Sequence, residues 1–138
     1  MTLAALALAL IVQATATPAG DRITYDQMIE CAATFRMASA AAGLAGDAEL
    51  RQAGVTAAVA YDNLAYLYGA PLGILHADTD AAIQAEVADQ LSVYGPGLNR
   101  RAPLTLQAMD IDQRVCRAVS ERIVREATEA VEAATPAD

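Results

Sequence analysis

Two cysteines and one histidine are the side chains of this 138-residue chain with the strongest metal-binding or thiol chemistry. A zinc centre needs several Cys, His or carboxylate ligands at matched spacing, and Cys31, His76 and Cys116 stand isolated from one another. A carboxylate-bridged di-iron centre in a helical bundle needs Glu-x-x-His on two helices, and covalent haem attachment needs Cys-x-x-Cys-His. The sequence has neither. Non-covalent haem held by one His and one Met reduces to His76 with Met28, Met37 or Met109. His76 lies between a helix-stop and a helix-start signal, where an exposed residue is expected. Ser39, Ser92 and Ser120 lack the Gly-x-Ser-x-Gly elbow, and no base pairs with any of them by spacing. Asp78/Asp80 and Asp110/Asp112 fit helix starts better than an acid–base couple. No glycine-rich loop matches a phosphate cradle. These residue types point to no enzyme and no cofactor.

Three features carry more. Cys31 and Cys116 fall on the inward edges of the first and last helical segments, so a disulfide closing about 85 residues is expected, with roughly 4–5 kcal/mol of chain-entropy stabilisation as an upper guide. Tyr61, Tyr68 and Tyr94 are candidates for a shallow aromatic groove, their default role being core packing with hydroxyls at a rim. Asn99, Arg100 and Arg101 precede a helix start, where an arginine pair and backbone N–H donors suit a carboxylate or phosphate contact.

Four helical segments must position these residues. The first opens on Thr24 and Gln27, a Thr-x-x-Gln capping box, with Ile23 and Met28 placed as a hydrophobic staple. Its stripe is Met28, Cys31, Phe35, Ala38, Ala42, and Gly43 and Gly46 end it. The second starts at Asp47 as N-cap with the stripe Leu50, Gly54, Ala57, Tyr61, Leu64, Tyr68. Val55, Val59 and Tyr66 add a second stripe, which places this helix at the centre of the bundle. The third is capped by Asp78 or Thr79, turns Ile83, Val87, Leu91 and Tyr94 inward, and stops at Gly95-Pro96-Gly97. The fourth runs from Pro103 toward Ala133, with Met109, Cys116, Val119, Ile123, Ala127 and Ala130 along one edge and Ile111 and Val115 beside them. Short loops make neighbours antiparallel. The expected fold is all-α, a small up-down four-helix bundle over residues 21–133 closed by one disulfide between its first and last helices, with a disordered tail at 134–138.

Leu3 to Val12 is an unbroken apolar run of about half the length a bilayer-spanning helix needs. Ala14-Thr15-Ala16 follows it, so residues 1–16 read as a secretory leader cleaved before Thr17, or alternatively after Ala19. A periplasmic or secreted product with no membrane span after leader removal is expected, a compartment that keeps cysteine pairs oxidised. Net charge is −8, which argues against nucleic acid as a partner. Hydrophobic residues make up 55% of the chain and aromatics 4%, so the core is alanine-rich and weak for its length. The expected function is non-enzymatic contact with a protein partner in the cell envelope, as an accessory, chaperone-like or inhibitor-type bundle. A bundle holding a small molecule or haem is the alternative.

Overall fold

The computed structural model describes residues 22–135, and the expected leader, Asp21 and residues 136–138 lie outside them. Four helices follow one another: α1 (Arg22–Leu44), α2 (Ala48–Gly69), α3 (His76–Asn99) and α4 (Pro103–Ala134), with one 3-10 turn, Ala70–Leu72, after α2. Among the described residues there are no strands. Ala134, expected in the tail, belongs to α4, and the expected tail from residue 136 on lies outside the described residues. Phe35 stacks on Tyr61 and Ser39 meets Arg51, so α1 and α2 are antiparallel. Tyr25 meets Thr79 and Thr34 meets Gln90, so α3 runs with α1. Gln27 meets Arg122 and Cys31 bonds Cys116, so α4 runs against it. The topology is an up-down four-helix bundle whose first and last helices are joined by the Cys31–Cys116 disulfide, with Cα atoms 5.5 Å apart.

The central helix is α1, not α2. Residues buried around most of its circumference include Tyr25, Met28, Cys31, Ala32, Ala33, Phe35 and Met37, and it packs against each of the other three helices. Between Cys31 and Leu44 its only charged residue is Arg36, and Asp62 of α2 neutralises that charge through two hydrogen bonds of 2.7 and 2.8 Å. The second stripe assigned to α2 is largely solvent-facing, with Val55 and Val59 exposed. Its buried face is Gly54, Ala58, Tyr61, Ala65 and Gly69. Small residues let the α1 and α2 backbones approach closely, and that side wins over the bulkier valines. A Cβ on Gly54 would lie 2.9 Å from Ser39 Cβ and 3.0 Å from Ser39 backbone atoms.

The helix starts also differ from their sequence signals. Thr24 lies inside α1 and is buried, Gln27 accepts from Arg122 Nη2 at 3.0 Å, and Ile23 is exposed, so neither the capping box nor the staple forms. A tertiary partner takes the place of local capping at Gln27, and Thr24 is buried within the helix. Helix α3 begins at His76 with Leu75 in the N-cap position. Thr79 is fully buried, paired with the Tyr25 hydroxyl at 3.2 Å. Gly95-Pro96-Gly97 does not stop α3. The helix continues to Asn99 because Leu98 anchors the last turn in a small cluster with Met37 and Met109. Gly97 serves there as the point of contact with α4, since a Cβ would lie 1.9 Å from Thr105 Oγ1. Leu91, Ile111, Val115 and Ala130, expected inside, are exposed.

Both tight helix connections use the same geometry. After α1, Gly46 sits at φ 76° while Asp47 N–H donates to Ala42 O and Gly46 N–H to Gly43 O, the paired bonds of a Schellman ending. Asp47 then caps α2 by accepting from Leu50 N–H at 2.9 Å. After α3, Ala102 N–H donates to Gly97 O and Arg101 N–H to Leu98 O, with Arg101 itself at φ 50°.

Two alanine substitutions should move stability in opposite directions. Gly43→Ala meets only ordinary contact, at 3.5 Å from Arg51, and should stabilise the protein by up to about 1 kcal/mol through helix propensity. Gly54→Ala should destabilise it by roughly 1–3 kcal/mol through overpacking against the α1 backbone. Urea unfolding of the disulfide-intact protein reads both signs, and a stabilising Gly54→Ala would refute the close α1–α2 approach.

Candidate functional site

The Cys31–Cys116 bridge lies in the main core, among Met28, Phe35, Tyr61, Ile83 and Ile123. Tyr61 reaches across from α2 and donates its hydroxyl to the Cys116 backbone carbonyl at 2.7 Å. Burial chiefly pushes the Tyr61 phenol up, with Glu121 adding to it and the Ser120 hydroxyl and Arg117 charge opposing. Away from this point α2 and α4 pack little on each other. Between them, with α1 as floor, lies a groove of about 670 Å³, within the roughly 300–1,000 Å³ of small-molecule sites.

The groove is built from small residues. Ala38, Ala41 and Ala42 of α1, with Ala45 just after it, form its floor, and Ala53, Ala57 and Ala60 of α2 form one wall, with Phe35, Leu50, Leu64, Leu106, Met109 and Val124 completing the apolar surface. Gln113, Arg117 and Ser120, on one side of α4, edge the opposite wall. Arg114 pairs with Asp110 and Arg122 with Glu126, whereas Arg117 makes no ion pair within 4.0 Å and touches Gln113 Oε1 at 3.5 Å. None of the lining residues is a carboxylate, in a chain with 17 of them. Sequence reasoning placed Ala38, Ala42 and Ala57 on closely packed inward stripes. Their spacing on two consecutive helices fits a trough equally well, and nothing in one sequence distinguishes a filled seam from an open one.

The three candidate tyrosines do not share a groove. Tyr61 lines the apolar groove, Tyr68 packs on the main core, and Tyr94 borders a separate cleft on the other side of α1. Asn99 is the last residue of α3 rather than a loop residue, and Arg100 and Arg101 form the turn into α4. Arg101 Nη2 donates to Leu44 O at 3.1 Å, satisfying a carbonyl at the end of α1. The two turns lie at the same end of the bundle. The exposed side chains of Leu44 and Leu50 and of Leu104 and Leu106 come from the α1–α2 and α3–α4 junctions there. His76 is an exposed helix-start residue stacked on Tyr66 at 4.2 Å between centroids. Tyr66 donates to Asp80, and that bond pushes its phenol up to about 12. Ser39, Ser92 and Ser120 donate to the backbone carbonyls of Arg51, Asp89 and Arg117.

The second cleft, about 350 Å³ between α1, α3 and α4, is acidic where the groove is not. Glu30, Glu86, Asp89 and Asp112 line it around the disulfide. Tyr94 donates to Asp112, which pushes the Tyr94 phenol up to about 12. Gln90 Nε2 lies within bonding distance of Glu30 O, Thr34 Oγ1 and Glu86 Oε1. The Glu30 carboxyl is held above its usual range by burial first, then by Glu86, Asp26 and Asp112. Among the described residues no group of three or more His, Cys, Asp or Glu side chains is placed to hold a metal ion, and no helix is long and apolar enough to cross a membrane.

Fold and site together define an all-α, disulfide-tied four-helix bundle with an open apolar groove. No protein family matches the chain, and neither does any curated protein or solved structure.

The raised Glu30 carboxyl makes a signed prediction. The folded state holds that proton more tightly than the unfolded chain, so ionised Glu30 opposes folding at neutral pH and the penalty fades as pH falls through its folded value. Glu30→Gln should therefore melt higher than the parent protein at pH 7, and the gap should close below the ordinary carboxyl value of 4.5. Paired melting curves across that range check it, and a gap that widens on acidification would reverse the assignment.

Proposed function

We propose that this is a non-enzymatic protein of the cell envelope or exterior that acts by holding an apolar partner in the α1–α2–α4 groove. The observation that carries the reading is the groove itself, an apolar surface that the described residues of this small acidic domain leave uncovered. Contiguous exposed apolar surface marks protein, membrane or ligand contact sites, whereas singly scattered apolar residues are ordinary. Leu50 and Leu106 line the groove at the end that carries the Arg100–Arg101 turn, the end where sequence reasoning looked for a protein partner. A helix of such a partner would lie in the trough as amphipathic helices lie in hydrophobic grooves. Its volume equally suits a small molecule. Haem has less support, since His76 is stacked on Tyr66 and does not line the groove.

The location reading rests on the disulfide, since such bonds persist in oxidising compartments, and on the apolar run at Leu3–Val12. Material recovered outside the cytosol should have a mass lacking residues 1–16 and no thiol open to alkylation. Full-length product with both cysteines modified inside the cell would contradict it.

Native mass spectrometry of protein purified from that compartment tests the contact surface. Ala53 and Ala60 are exposed and line the groove, so Ala53→Arg with Ala60→Arg should block it without disturbing the core. The double variant should lose at least nine-tenths of any bound partner, and Arg100→Ala with Arg101→Ala should retain it. The reverse pattern would move the contact surface to the turn.

A further inference from the structure

We infer that the groove receives a single-chain fatty-acid carboxylate, its hydrocarbon lying on the alanine floor and its headgroup against Arg117. The inference rests on the groove being the binding surface and names what occupies it. Among the described residues Arg117 is the only charged one in the lining, and it lacks the carboxylate partner there that Arg114 and Arg122 have. An unpaired guanidinium beside apolar surface favours an anion, and its planar fork matches a carboxylate through two parallel hydrogen bonds. One cation suits one negative charge, which sets a carboxylate ahead of a phosphate dianion. The groove itself offers no competing acid. The Tyr61 hydroxyl is already committed to Cys116 O and the Ser120 hydroxyl to Arg117 O, so neither donor competes with the guanidinium for the headgroup. Along α1 the lining runs from Phe35 to Ala42, about 11 Å at 1.5 Å per residue, and reaches Ala45 in the turn beyond. That length, floored by alanine methyls, accommodates an extended chain lying parallel to the helix.

The test is displacement of the fluorescent fatty acid cis-parinarate from the purified, disulfide-intact protein. Competitors are octanoate, decanoate and dodecanoate, with dodecyltrimethylammonium as the same chain on a cationic head. Affinity should rise about fourfold per added methylene as chain enters the trough. Dodecanoate should bind at least tenfold tighter than the cationic amphiphile. Arg117→Gln should remove that preference by weakening dodecanoate and not the cationic amphiphile, while leaving the helical circular dichroism unchanged. Ala53→Arg with Ala60→Arg should abolish binding of both. A chain-length dependence with no headgroup preference and no response to Arg117→Gln would leave the groove standing and overturn the carboxylate. No binding by any amphiphile, with a protein released from the groove by the Ala53/Ala60 double variant, would overturn the fatty-acid inference in favour of a partner helix.

Discussion

Enclosure of α1 is the constraint on which the rest of the structure depends. An alanine side chain buries little area, so a core of Ala32, Ala33, Ala58 and Ala65 around Met28, Phe35 and Tyr61 gains less per residue than a leucine core would. The chain compensates in two ways. Small residues bring α1 and α2 into backbone contact at Ser39 and Gly54, where dispersion between close-packed atoms replaces bulk. The Cys31–Cys116 bridge then ties α4 to the same central helix across 85 residues, limiting the freedom of the unfolded chain by roughly 4–5 kcal/mol in the entropy model. Against a typical domain stability of about 5–15 kcal/mol that is a large share.

A bundle organised around one central helix differs from one in which four helices share a core equally. Each outer helix satisfies its main burial against α1 and has little need of the others. Helices α2 and α4 meet through the Tyr61 hydroxyl on the Cys116 carbonyl, a single bond beside the disulfide, and the interval between them stays open. The groove is thus a consequence of how α1 is wrapped. Its alanine lining follows from the same small-residue composition that permits the close α1–α2 approach.

Much of this architecture was legible in the sequence. Helix number and order, Asp47 as a cap, the Gly43–Gly46 ending and the cysteine pairing all follow from local chemistry, and the structure has each of them. The failures share a cause. Thr24, Gln27 and Thr79 look like caps by local rules, yet each takes a tertiary position, Thr24 by burial and the other two through hydrogen-bond partners on other helices. Pro96 looks like a terminator, yet Leu98 gains enough from Met37 and Met109 to carry the helix one turn further. The rank of α2 was misjudged because valine counts more than alanine or glycine in an apolar pattern, while close packing favours the smaller residue. The candidate site was less legible still. Alanine spacing gives the same signal for a seam and for a trough, and only the separation of α2 from α4 distinguishes them.

Charge distribution gives the two sides of α1 different characters. Glu30, Glu86, Asp89 and Asp112 line the cleft toward α3, where burial first and then the charges of Glu86, Asp26 and Asp112 hold the Glu30 carboxyl above its usual range. The groove toward α2 excludes carboxylates and admits one arginine. In a chain of net charge −8, keeping acids from an uncovered apolar surface has a physical consequence. An anionic group entering the groove meets no like charge within the lining, whereas on the other side it would meet four. Long-range repulsion from the whole molecule still slows its approach, and salt screens that repulsion over about 10 Å at 0.1 M. Short-range attraction at Arg117 survives better beside apolar surface, where water is partly displaced. The sidedness therefore selects at contact, and the surface so arranged favours an apolar body carrying a single negative charge.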